Sequence, residues 1–188
     1  MEVIKNPIKA LNAAKKKQNI NRTLTLLLEI SVIYGIAAVI LGIKLPLFTG
    51  LMGVVAFVSA FLLTIVAALF FGLILHTIAG IMGGKGEYYN GLTTITYAMI
   101  APSFGILIAA ILSFIPFIGA VIGVIVLALT LAHGFSLLYR GTKDLYKIDM
   151  VTTLVIISVL TLTIIAALWL SSAMNITSLQ SIAAIKGF

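Results

Sequence analysis

The chain of 188 residues contains no cysteine, and only 9% of it is charged. The first absence excludes disulfides, thiolate metal sites and a cysteine nucleophile, and it leaves the redox compartment open. The second sets the chain apart from soluble domains, of which about a quarter is charged. Prolines number four and acidic residues five, against twelve lysines and arginines. With so few interruptions, charge-free runs extend from Leu45 to Gly84, Asn90 to Tyr139 and Met150 to Ile185. A bilayer span needs only about 20 apolar residues. What fills these runs is 62% hydrophobic overall, with a mean hydropathy of +1.25, and the class this implies is an all-α integral membrane protein.

Breakers divide the runs. The first span is expected over residues 23–42, ending at Lys44 and Pro46. The second covers 50–82 and closes at Gly83 and Gly84; it is longer than a bilayer requires, so it either tilts or projects. The uncharged stretch after Asn90 exceeds one span, and Ser113 to Pro116 supply its break, giving a tight hairpin of helices at 92–112 and 117–139. A fifth span covers 151–170, with Trp169 at its far end where an interfacial indole is favoured.

Five spans place the termini on opposite sides. Lys5, Lys9, Lys15, Lys16, Lys17, Arg22, Lys85, Arg140, Lys143 and Lys147 fall on one side, and Lys44 and Lys186 on the other. Positive residues accumulate in cytoplasmic loops, which predicts a cytoplasmic N-terminus and an external C-terminus. Residues 1–22 read as a basic amphipathic helix on the inner leaflet, because Ile4, Ile8 and Leu11 recur at helical spacing. Residues 171–188 read as an external tail with a short interfacial helix. The apolar segment starts too late, near Thr23, for a cleaved signal peptide. Lysines that crowd the membrane boundary without interleaved aromatics point to anionic headgroups and away from nucleic acid.

In lipid, helices associate through small residues and buried polar contacts. Gly72, Gly80, Gly119 and Gly123 are the expected packing glycines, with Pro102 kinking the third helix and Pro116 turning the hairpin. His76, Tyr97 and His133 fall at similar distances from the expected ends of their helices and are predicted to form one intramembrane polar layer. Glu29 lies at similar depth, but a helical wheel sets it opposite the Ser31, Gly35, Ala38 and Gly42 stripe and in line with Arg22. Such a layer serves either as a clasp of neutral, hydrogen-bonded side chains or as a protonatable site. No paired-ligand metal motif is present, and Gly83-Gly84-Lys85-Gly86 lacks the Lys-Ser/Thr ending and the strand-to-helix setting of a phosphate loop. No catalytic residue, cofactor or metal is expected. The segment Arg140 to Asp149 reads as a mixed-charge loop suited to a partner or headgroup.

Asn6, Pro7, Ala10 and Leu11, then Gly83, Gly84, Lys85, Gly86 and Tyr88, then Tyr97, Ala98, Pro102 and Ser103 occur in an order that is specific as a set. Ile115, Pro116 and Gly119 at the hairpin and His133, Gly134, Ser136 and Lys143 complete it. Over almost the whole chain this set resembles the YIP domain (Ypt/Rab-interacting protein) family in its short prokaryotic form. The resemblance implies a five-helix membrane domain with a cytoplasmic N-terminus, in a prokaryotic plasma membrane. Eukaryotic members are associated with Rab-type GTPases and membrane shape. The long N-terminal region of the eukaryotic kind is not expected here, so Rab binding is not carried over. The function expected is a non-enzymatic membrane-organising or scaffold protein that contacts anionic lipid, a protein partner or further copies of itself. The alternative is a small transporter or channel component that uses the His/Tyr layer as its path.

Overall fold

The computed structural model describes residues 20–44 and 50–166. Residues 1–19 with Lys15, Lys16 and Lys17, Pro46, Trp169 and the tail at 171–188 lie outside the described residues. Among the described residues five helices follow one another: α1 Ile20–Gly42, α2 Gly50–Ile81, α3 Tyr88–Leu112 and α4 Ile118–Tyr146, then α5 Met150–Ala166. The first four are long and apolar enough to cross a membrane. Their sequences are rich in valine and isoleucine, which favour strands in water. In hydrocarbon every backbone N–H and C=O needs an internal partner, and the helix provides one within the segment.

α3 is the hub, packing against α1, α2 and α4, while α1 also packs on α2. Two contacts fix the register of α1 on α3. Thr23 Oγ1 lies 3.3 Å from Thr93 Oγ1 at one end, and the Lys44 ammonium donates to the Ser113 carbonyl at the other. The two helices therefore run parallel with a nearly constant offset. From Thr23 to Lys44 the rise is about 31 Å at 1.5 Å per residue, which matches a hydrocarbon core of about 30 Å. Between these levels the outer surface is apolar, with Leu63 at 69% exposure and Val124 at 67%. Lipid is the solvent such a surface requires.

At the hairpin end, residues 113–117 join α3 to α4. The Ile118 N–H donates to the Pro116 carbonyl at 2.7 Å, and Phe117 between them has φ 59° and ψ −66°, a strained γ-turn. Lys44 also sits 5.2 Å from the Phe114 ring centroid, so one lysine ties the end of α1 to the hairpin through a carbonyl and an aromatic face.

At the opposite end, two helices continue past the Thr23 level. Gly72 lies against the backbone of Gly91 and Leu92, so residues 73–81 of α2 project, which accounts for its excess length. Gly141 abuts Thr94, so α4 likewise projects from residue 142 onward. Here the structure departs from the sequence expectation of a loop over Arg140–Asp149: the helix persists to Tyr146. Gly141, Thr142, Leu145 and Tyr146 are buried, forming an inward face, and Arg140, Lys143 and Asp144 occupy the rest of the turn. Charge alone did not mark a helix end.

α4 stops at Lys147, which is left-handed with φ 55° and ψ 44°. The Ile148 N–H then bonds the Lys143 carbonyl at 3.2 Å and the Ile148 side chain is buried, the pattern of a Schellman ending. A side chain in this conformation costs about 1–2 kcal/mol. Lys147→Gly is expected to stabilise the folded state by about 1 kcal/mol, measurable by denaturant titration in detergent micelles.

Asp149 caps α5. Its carboxylate accepts from the Thr152 N–H at 2.9 Å and from the Thr152 hydroxyl at 2.6 Å. These hydrogen bonds, the hydroxyl first, hold the carboxyl below its usual pKa. A carboxyl depressed in the folded state adds stability above its unfolded pKa, and this is lost as pH falls through the folded value. Amide exchange at Thr152, whose N–H bonds the Asp149 carboxylate, is expected to lose protection only below the ordinary carboxylate range, and Asp149→Ala should remove that protection at neutral pH.

Candidate functional site

The projecting ends of α2, α3 and α4 form a compact platform around Tyr146, which is fully buried. Gly86 and Gly91 make room for it: a Cβ on Gly86 would strike the Tyr146 ring, and one on Gly91 would strike the Gly72 carbonyl and come within 2.8 Å of the Tyr146 hydroxyl. His76 packs against the same ring, with centroids 6.2 Å apart, and meets Tyr88 edge-on at 6.3 Å. The Lys85 N–H donates to the Tyr146 carbonyl at 3.0 Å, and Asn90 Nδ2 reaches the Leu145 carbonyl at 3.4 Å. Gly83, at φ +84°, turns the chain out of α2. Loop 82–87 and the end of α4 are thereby locked together.

Just inside the platform lies a layer of buried hydroxyls on α1, α3 and α4. Thr23 Oγ1 is 3.0 Å from the Tyr89 hydroxyl and shares its other side with Thr93. Thr94 returns its hydroxyl to the Asn90 carbonyl at 2.8 Å. Thr96 Oγ1, the Tyr97 hydroxyl and Thr142 Oγ1 are buried without a protein partner, as is His76 Nδ1. Buried hydroxyls bonded between helices replace the hydrophobic drive that lipid does not supply.

The expected layer of His76, Tyr97 and His133 does not assemble. From the helix ends nearest the platform, the three lie about 7.5, 13.5 and 19.5 Å along their axes at 1.5 Å per residue. The expected ends were misplaced because α3 begins at Tyr88 and α4 continues to Tyr146. His76 belongs to the platform and Tyr97 to the buried hydroxyls, whereas His133 is exposed on the outer face of α4. Its neighbour Gly134 takes the inward position, where a Cβ would come within 2.7 Å of the Ala98 carbonyl and 3.0 Å of Pro102. Glu29 is exposed on α1, outside the layer.

The packing residues divide similarly. Gly72 meets α3 backbone, Gly119 the Leu112 carbonyl and Gly123 Ala109, while Gly80 has nothing within 4 Å of a built Cβ. Of the basic residues, Lys85, Arg140 and Lys147 are exposed and Arg22 and Lys143 half-buried, all at or beyond the Thr23 level. Among the described residues no cluster of three or more metal-ligating side chains occurs. Tyr146, Tyr89 and Thr142 are the participants that the sequence pattern did not single out; the paired Thr93-Thr94 and Thr96 in an uncharged run were the available signal.

The Yip1 domain model matches residues 1–172. The chain belongs to the Yip1 domain family. No curated protein and no solved structure matches it. As a Yip1 domain with four helices long and apolar enough to span a bilayer, the chain is a multi-pass membrane protein. In this Yip1 domain the Gly83-Gly84-Lys85-Gly86 loop and the Tyr146 turn are one packed unit.

Proposed function

We propose that the protein is a non-enzymatic membrane organiser with five spans, whose platform lies on the cytoplasmic side of a plasma membrane and holds anionic lipid headgroups. The observation that carries the proposal is the bond between Lys85 N–H and the Tyr146 carbonyl. It brings Lys85 beside Lys147 on a rigid support, with Arg140 and Lys143 on the last turns of α4. Arg22 at the start of α1 completes a rim at the membrane boundary. Glu87, Asp144 and Asp149 share the platform, so the described part carries five basic against three acidic groups.

Each basic residue at an anionic surface contributes about 1 kcal/mol. Fixed positions add selectivity, because the Tyr146 packing removes the ordering cost of flexible loops. Replacing Lys85, Arg140, Lys143 and Lys147 with glutamine should lower retention of phosphatidylglycerol relative to phosphatidylcholine by at least about tenfold, measured by native mass spectrometry from mixed micelles. Equal retention by both forms would rule out headgroup recognition. Solute flux from reconstituted vesicles that was unchanged by these substitutions would point to transport instead.

A further inference from the structure

Two ionisable side chains sit on the outer surface of the bundle inside the hydrocarbon layer. Glu29 on α1 and His133 on α4 are both exposed, and among the described residues neither has a hydrogen bond or ion pair. Their levels lie within one helical turn of each other. The α1–α3 register set by Thr23 with Thr93 and by Lys44 with Ser113 puts Glu29 level with Met99. Gly141 against Thr94 and Gly105 against Thr130 put His133 level with Pro102, three residues deeper. Glu29 is about 9 Å and His133 about 13.5 Å inside the Thr23 boundary at 1.5 Å per residue, too deep for either short side chain to reach water.

Hydrocarbon does not tolerate such groups unpaired. A charged side chain facing it costs about 2.5–3.5 kcal/mol on insertion scales, and buried acids and bases in membranes pair with one another. Arg22, two turns before Glu29, is half-buried and forms no ion pair with it. We propose that the protein self-associates within the bilayer, Glu29 of one copy pairing with His133 of a second copy.

A second copy is the partner that fits. Copies inserted with the same orientation present their α1 acid and α4 base within about one turn in depth, a gap that the two side chains and a small helix tilt can close. The exposed face of α4 beside His133 is also narrow, with Ala128, Ala132 and Ser136 at four-residue spacing, which lets a neighbouring helix come close. Val32 on α1 and Ala132 on α4 are exposed at a common level next to the two charged positions.

Self-association can be followed by energy transfer between N-terminally labelled copies diluted in lipid vesicles. Glu29→Gln and His133→Gln are each expected to weaken association about three- to thirtyfold, the range of interhelical polar contacts in membranes. The exchange Glu29→His with His133→Glu should restore it. Because the chain has no cysteine, Val32→Cys and Ala132→Cys copies can also be mixed and oxidised, and a disulfide-linked dimer is expected. A Leu63→Cys copy, exposed on α2, should not link to Ala132→Cys. A monomeric wild type, single variants that associate as tightly as wild type, or no Val32–Ala132 link would each overturn the proposal.

Discussion

Gly91→Ala is expected to prevent stable assembly of the bundle, whereas Gly80→Ala should leave it intact or slightly strengthened. At Gly91 the added methyl meets the Gly72 carbonyl and the Tyr146 hydroxyl. The first obstacle is backbone and has no rotamer to escape into, so α2 and α3 must separate. Overpacking of this kind costs about 3 kcal/mol or more when helices have to shift. Close approach also carries much of the association energy in lipid, so the loss extends along the α2–α3 seam. Gly80 lies in the same membrane-spanning helix with nothing near a built Cβ, and alanine there gains about 0.5–1 kcal/mol of helix propensity. Size-exclusion profiles and unfolding midpoints of the two variants in one detergent provide the comparison, and equal stability would refute the tight α2–α3 contact.

Tyr146→Ala is the second large effect. The ring fills the space between Gly86, Gly91 and His76, and no flexible neighbour is placed to replace it, because glycines line two sides. Truncating a fully buried aromatic costs about 3–5 kcal/mol. Tyr146→Phe should cost much less, since the hydroxyl makes only a long contact of 3.5 Å with the Glu87 carbonyl. Hydrogen exchange in loop 82–87 and the last turn of α4 should rise together in the alanine variant. Exchange confined to one of the two segments would mean that they are not one unit.

How much of this was legible in the sequence depends on what each residue had to signal. Helix breaks were plain, because Gly83-Gly84 and Ser113 to Pro116 stood alone in long apolar runs. Gly72, Gly119 and Gly123 were recognisable as contacts, since small residues in lipid have few other uses. The extension of α4 was not, because the charged residues that mark a loop in a membrane protein also suit the exposed side of a projecting helix. That error displaced His133. Counting at about 100° per residue from Gly123, Gly134 falls on the packed face and His133 at its edge, and the rigid stripe won. His76 meets Tyr146 and not the expected Tyr97 and His133, because Tyr146 lies in a segment whose charges suggest a loop. Contacts between sequence-distant ends, such as Lys85 with Tyr146, leave no periodic trace.

The most direct test of a cytoplasmic basic platform uses the absence of native cysteine. Single cysteines at Lys147 on the platform and Ile115 on the hairpin can be probed in intact cells with a membrane-impermeant maleimide. Ile115→Cys should label in intact cells and Lys147→Cys only after permeabilisation. Labelling of Lys147→Cys in intact cells, with Ile115→Cys protected, would contradict the arrangement.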